Sequence, residues 1–268
     1  EIVDGFRCDV APLVPLEFWL RARREVETVR PDCLWLAESV EPEFIRDNRN
    51  RGMVSHSDCE LYQAFDLCYD YDIYGDFLSY VQGKAELTDY VRALERQESI
   101  YPADYAKLRF LENHDRPRMT HLFPDRRTRL NWLCWMFFQK GTALLYGGQE
   151  WENDHRPDLF DADPIPMEGP APLEELIRRL TALKKDPLFE IGAYSLRACP
   201  GDVLTAVWQE RRENGKRLTG CFCLRGNPAL VPVELSDGRY ENLLKPGTFL
   251  RVESGLLSLD GNPAVLQS

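Results

Sequence analysis

The chain has 268 residues, 44% hydrophobic and 11% aromatic, enough for one large domain or two smaller ones with a packed core. Its 33 Lys plus Arg stand against 44 Asp plus Glu, and the formal charge of -11 repels phosphate, which argues against nucleic acid or an anionic membrane surface as the main partner. No apolar run approaches the roughly 18 residues of a membrane span, and no basic stretch followed by an apolar one opens the sequence.

The first predicted element is a strand over residues 1–8. A helix follows from Leu16 to Val29, where Phe18, Trp19, Ala22, Val26 and Val29 fall near a 3.6 period and Pro31 ends it. Cys33 to Ala37 is the second strand, free of charge as expected where both faces are covered. Asn, Arg, Gly and Ser crowd residues 46–58, which reads as a loop. The third strand is placed at Phe65–Tyr71, followed by helices at Asp76–Val81 and Glu86–Glu98 on either side of Gly83. Leu108–Leu111 is the fourth strand, Thr128–Gln139 the helix after it, and Ala143–Tyr146 the fifth strand, closed by Gly147 and Gly148. Proline-rich sequence then leads to a helix at Leu173–Lys185.

After Pro187 the helical periods stop. Short strand-like runs take over at Ala193–Ala198, Val203–Gln209, Leu218–Leu224, Leu230–Leu235 and Phe249–Val252, separated by turn pairs such as Pro200-Gly201 and Pro246-Gly247. This places a domain boundary near 189, with an antiparallel β-sandwich over 190–268. Before it, strand ends near 8, 37, 70, 112 and 147 come at intervals comparable to the roughly 31 residues that a (β/α)8 barrel spends on each unit. Residues 1–189 are therefore expected to form an incomplete α/β TIM barrel of five units. The sequence opens on Glu1 and enters an apolar element at Ile2, so a longer parent chain is expected.

The eight cysteines are dispersed, form no CxxC pair and mostly sit in apolar stretches. They read as structural thiols of a reducing compartment, which favours a cytoplasmic location. The four histidines do not supply the paired spacings of a zinc site.

Three acidic residues stand just after apolar strand runs: Asp9, Glu38 and Asp115. In a parallel barrel the C-terminal strand ends all open on one face, so these carboxylates are expected to converge where barrel enzymes keep their chemistry. Singly, each reads as a loop acid or helix cap. Jointly, with Arg7 and His114 beside them, they read as a site.

These residues sit in four segments: Gly5-Phe6-Arg7-Cys8-Asp9-Val10-Ala11, Leu36-Ala37-Glu38, Phe110-Leu111-Glu112-Asn113-His114-Asp115, and Gly141 through Glu150. In order and spacing they resemble four successive signatures of the alpha-amylase superfamily of retaining glycoside hydrolases, and residues 190–268 resemble that family's C-terminal β domain. The resemblance implies about strands 4 to 8 of the barrel, an α-glucan or maltooligosaccharide substrate and double displacement with retention. It implies Asp9 as nucleophile, Glu38 as general acid/base and Asp115 as the acid that holds the distorted sugar. Arg7 and His114 match the residues that keep the nucleophile ionised and bind sugar hydroxyls. The chemistry agrees, since an ionised Asp needs a nearby cation and a proton-donating Glu needs an environment that favours its neutral form. Tyr71, Tyr74 and Trp151, near strand ends, either stack sugar rings or simply pack.

The family's earlier signature, which ends in Asn-His, has no match here. Pro12-Leu13 stand where many amylases carry Lys-His after the nucleophile, which removes one link to calcium. No cofactor is expected, with calcium left open for a complete enzyme. The motifs admit a hydrolase, a transglycosidase or a catalytically silent carbohydrate-binding or assembly fragment. Taken alone, the chain is expected to self-associate through exposed barrel edges and to show negligible turnover.

Overall fold

A computed structural model describes residues 3–212 and 214–268. The chain separates into two compact units, one up to Arg109 and one from Phe110 to Ser268. The expected boundary at 189/190 falls inside the second of them.

The first unit holds β1 (Gly5–Cys8), α1 (Leu16–Glu27), β2 (Leu34–Ala37), α2 (Pro42–Asn50), α3 (Asp58–Leu61), β3 (Leu67–Tyr69), α4 (Tyr74–Val81), α5 (Leu87–Ile100) and β4 (Ala106–Arg109). The strands pair in chain order and all in parallel, the sheet of a partial (β/α)8 barrel. Gly5 is needed where it stands, because a Cβ there would lie 2.5 Å from the Leu34 carbonyl oxygen of the neighbouring strand. Trp19 of α1 packs with Trp35, Phe65, Ala37 and Cys68 into one core, and its indole N–H donates to the Ala11 carbonyl at 3.1 Å.

Residues 1 and 2 of the first expected strand lie outside the described residues. The stretch expected as a loop at 46–58 is in part α2, a helix that buries only Ile45 and Asn48 and so carries almost no apolar period. Proline at its first turn starts it. The fourth strand lies two residues earlier than expected, because it buries Lys107 and Arg109, which an apolar pattern cannot credit.

The second unit begins with α6 (Met119–Leu122), α7 (Arg126–Phe138), a two-residue β5 (Thr142–Ala143), α8 (Glu174–Lys184) and α9 (Leu188–Ile191). β5 is thus shorter than the expected Ala143–Tyr146, since the chain turns off through Gly147 and Gly148. Among the described residues eight antiparallel strands follow: β6 (Ala193–Cys199), β7 (Val203–Gln209), β8 (Arg217–Cys223), β9 (Ala229–Pro232), β10 (Gly238–Glu241), β11 (Phe249–Glu253), β12 (Leu256–Leu259) and β13 (Ala264–Gln267). They form two sheets, ordered β13-β8-β7-β6 and β10-β11-β12-β9. Three of these strands, β10, β12 and β13, were not expected; each has only four residues.

Between the sheets lies a core of Cys199, Val203, Cys221, Cys223, Val231 and Leu257 with their neighbours. The opposite face of the first sheet is covered by α7, whose residues Asn131 to Phe138 are all buried. Phe222 packs against Trp135 and Phe138, and the Trp208 indole donates to the Phe138 carbonyl at 2.9 Å. Asn131 fastens helix to sheet by donating to the Gly261 carbonyl at 2.9 Å and accepting from the Cys223 N–H at 2.7 Å. This packing makes residues 110–268 one unit.

Candidate active site

The parallel register sets Arg7 beside Leu36 and Cys8 beside Ala37, so β1 and β2 end together. The Glu38 N–H donates to the Cys8 carbonyl at 3.0 Å, and the Ala11 N–H donates to the Glu38 carbonyl at 3.1 Å. These bonds pin the two strand ends, and with them Asp9 and Glu38, to one rim.

Arg7 joins the two carboxylates. Its Nη1 donates to Asp9 Oδ1 at 2.6 Å and its Nη2 to Glu38 Oε1. Two carboxyl groups held on the two terminal nitrogens of one planar guanidinium are close and fixed in orientation. Burial opposes the Arg7 charge, but hydrogen bonds with Tyr69 and Asp9 and the attraction of Glu38 outweigh it and raise its pKa. The Tyr69 ring lies 5.8 Å from the guanidinium carbon.

The two acids sit in different surroundings. Glu38 is buried, 6% exposed, whereas the Asp9 side chain is 79% exposed. The second Glu38 oxygen accepts the Val10 N–H at 2.9 Å. Val10 itself has φ 39°, ψ 47°, a left-handed conformation that a β-branched residue seldom adopts. The turn therefore holds a strained residue where its N–H meets the acid, a placement common at functional sites.

His114 and Asp115 belong to the second unit, in the loop after Phe110 and Leu111. His114 Nε2 lies 3.5 Å from Asp115 Oδ2, and the Asp115 N–H donates to Asn113 Oδ1 at 2.9 Å. A fully buried ion pair supports the loop: Arg118 Nη1 donates to Glu112 Oε1 at 2.7 Å, while Glu112 Oε2 accepts the Met119 N–H at 2.5 Å. Burial pushes the Glu112 carboxyl up, against the pull of these two donors. The Arg118 guanidinium lies 4.5 Å from the Tyr146 ring, which ties this loop to the Gly141–Glu150 segment. Gly148, at φ 88°, is required there, because a Cβ would come within 2.7 Å of Ile165.

Sequence reading missed the Val10 N–H, Tyr69, Glu112 and Arg118 as parts of these arrangements. Glu112 carried a signal, being a charge directly after the apolar pair Phe110-Leu111. Tyr71 and Tyr74 are buried among Tyr69 and Phe77 and serve as packing, while Trp151 is half-buried and donates to the Gly169 carbonyl at 3.1 Å. For calcium, the turn after Asp9 is a poor donor set. Pro12 and Leu13 have no side-chain oxygen, and the Pro12 carbonyl accepts the His56 N–H at 2.9 Å.

Among the described residues no helix is long and apolar enough to cross a membrane. Over 99% of its length the chain matches the crystal structure of an alpha-amylase from Lactobacillus plantarum, with a TM-score of 0.94 and 42% identity, covering 63% of that chain. A noncanonic maltogenic alpha-amylase, AmyB from Thermotoga neapolitana, matches over 99% of this chain and 61% of its own, with a TM-score of 0.79 and 29% identity. Alpha-amylase 2 of Dictyoglomus thermophilum is 22% identical over 197 residues, 68% of this chain and 33% of that protein. The chain thus spans less than two thirds of these relatives. Residues 196–266 match the bacterial alpha amylase C-terminal domain. Residues 1–186 match the alpha amylase catalytic domain, and on that match the chain belongs to the alpha-amylase family of glycoside hydrolases.

Proposed function

We propose that this chain carries the nucleophile and the general acid/base of a retaining glycoside hydrolase acting on the α-glucosidic bonds of α-glucans or maltooligosaccharides. The observation that carries this reading is the Arg7 guanidinium holding Asp9 and Glu38 on adjacent nitrogens. Retention needs two carboxyl groups about 5–5.5 Å apart, and one guanidinium keeps two carboxylates at close range. Asp9, the more exposed of the two and paired with a cation, suits attack on the anomeric carbon. Glu38, buried and accepting at both oxygens, stands as it must when it takes a proton from water in the second displacement; in the first it gives that proton to the leaving oxygen. Asp115 is assigned to holding the distorted sugar, with His114 as a hydroxyl partner. We take 1–189 as the catalytic part and 190–268 as the β domain, on the change from helical to strand periods after Pro187. The eight free thiols favour a cytoplasmic setting.

The test is the anomer released from maltooligosaccharide by an active enzyme that carries this chain, followed by proton NMR. The α-anomer should form first; initial release of the β-anomer would contradict the assignment, and longer transfer products would mark a transglycosidase. In the same enzyme Glu38→Gln should lower turnover of maltooligosaccharide by about 10²–10⁴-fold, the usual worth of a general acid/base. On an aryl glucoside with a good leaving group the first step should be spared. Equal losses on both substrates would sink the acid role.

For the 268-residue chain by itself we expect association and negligible turnover. Strand β1 stands at the end of its sheet, and Phe6, Leu34 and Val3 around it are 38%, 50% and 50% exposed. Such an apolar parallel edge pairs with another chain unless it is covered. Light scattering should report a dimer or larger species, and a monodisperse monomer would contradict this expectation.

A further inference from the structure

One sheet of the β domain changes character along its inward face. Strand alternation puts Cys199, Val203 and Cys221 on that face, in the core between the sheets. Two residues further along the same strands, and so on the same face, stand Arg197 on β6, Thr205 on β7 and Thr219 on β8. Ser195 and Arg217 continue these rows. A sandwich interior ordinarily takes apolar side chains at such positions. Here Thr205 and Thr219 are buried while Ser195 and Arg197 are exposed, and they line a cavity of about 210 Å³ that opens to solvent, bounded on the far side by Pro232, Val233 and Glu234.

Two donors in this cavity have no partner among the described residues: the hydroxyl of Thr219, a residue 2% exposed, and the buried Nε of Arg217. Buried polar atoms are nearly always paired, so two such donors facing one space are groups that a bound molecule there would satisfy. The arginines are already anchored. Arg217 Nη2 donates to Glu234 Oε2 at 2.7 Å, and Arg197 Nη2 donates to the Pro232 carbonyl at 3.1 Å. Each guanidinium is thus fixed through one nitrogen and keeps further N–H groups to offer. Two guanidiniums face one carboxylate, that of Glu234, whose side chain is 74% exposed. The surplus is one positive charge, in a protein whose formal charge is -11. Long-range attraction therefore does not bring an anion here; only these local groups can hold it.

We propose that the cavity binds a small oxyanion of the phosphate type, held by Arg197 and Arg217, with the Thr219 hydroxyl as a further donor. Guanidinium N–H groups and hydroxyls around one space are the donor set that phosphate oxygens accept from. The volume exceeds the roughly 10–15 Å³ that a single water requires, which leaves room for a tetrahedral ion. Free phosphate and the phosphate ester of a sugar present the same group. The proposal is independent of the glycosidase reading.

Isothermal titration calorimetry of the 268-residue chain, with inorganic phosphate and with glucose 6-phosphate against sodium chloride at matched ionic strength, tests it. The expected result is saturable binding at a single site per chain, absent with chloride. Arg197→Gln should weaken it about tenfold or more and Thr219→Val by about threefold, with unchanged circular dichroism. Tighter binding of the ester, lost in the same variants, would assign a sugar phosphate as occupant, and equal or weaker binding would assign free phosphate. Thr219→Val conserves shape, so it keeps the test decisive if Arg197→Gln fails to fold. Absence of saturable heat with both anions, or binding that the variants leave untouched, overturns the proposal.

Discussion

Asp9→Asn, in an active enzyme that carries this chain, is expected to lower kcat on maltooligosaccharide by at least about 10⁴-fold, because an amide cannot form the covalent glycosyl intermediate. Stability should hardly change. The Asp9 side chain is 79% exposed, and an exposed ion pair contributes only about 0–1 kcal/mol. Arg7 keeps its second nitrogen on Glu38, so the rim retains its geometry in the variant. Activity and stability are thereby separated: the urea midpoint should stay within experimental scatter of the parent while turnover disappears. A loss smaller than about tenfold would remove Asp9 from the reacting pair, and a large fall in the midpoint would make it a structural residue.

The largest effect on stability is expected from Lys107→Met. Lys107 lies on β4 with its side chain wholly buried, and its ammonium bonds Asp58, which begins α3, and Asp72, after β3, the latter at 2.7 Å. Tyr101 closes the group, its hydroxyl donating to Asp72 at 2.7 Å and its ring lying 4.7 Å from the ammonium. Burial alone would lower the pKa of Lys107, but the two carboxylates outweigh it and keep it well above the usual lysine value. Burial pushes the Asp58 carboxyl up to about 6 even against the attraction of Lys107.

Removing the ammonium leaves the buried Asp58 carboxyl and the mostly buried Asp72 carboxyl without their cation, and breaking such a pair costs about 3–5 kcal/mol. Asp58 then rises further. A carboxyl whose folded pKa exceeds its unfolded value stabilises most below the unfolded value and loses that contribution as pH rises through the folded one. The variant should therefore be least stable at neutral pH and recover part of the loss toward pH 4 to 5, and the second change Asp58→Asn should restore part of it at pH 7. Urea denaturation at both pH values reads this. A loss below about 1 kcal/mol, or one that is the same at both pH values, would show that the buried pair is not what holds these elements together.

What local pattern determines is legible in the sequence. The β7 strand runs over Val203–Gln209 as expected, and α1 begins at Leu16 as expected. The nearly unbroken apolar run of β7 is nearly all buried, and in α1 Trp19, Ala22 and Val26 turn inward at helical spacing while Phe18 and Val29 are exposed. The candidate site residues Asp9 and Glu38 were legible for a related reason: each follows a strand, and paired parallel strands end on one side of their sheet.

Only the tertiary structure decided the rest. Helix α2 buries just two side chains, so no period announces it. Strands β10, β12 and β13 owe their existence to partners: β13 pairs with β8, which lies about forty residues earlier. Lys107 meets Asp58 across 49 residues and Asp72 across 35, and nothing in the sequence near Lys107 marks it as buried. The same holds for Thr219, a buried polar side chain on a face that alternation alone assigns to an apolar core. Periodicity records how often the chain turns a side chain inward; which charges meet there is set by strand register and packing between segments far apart in sequence.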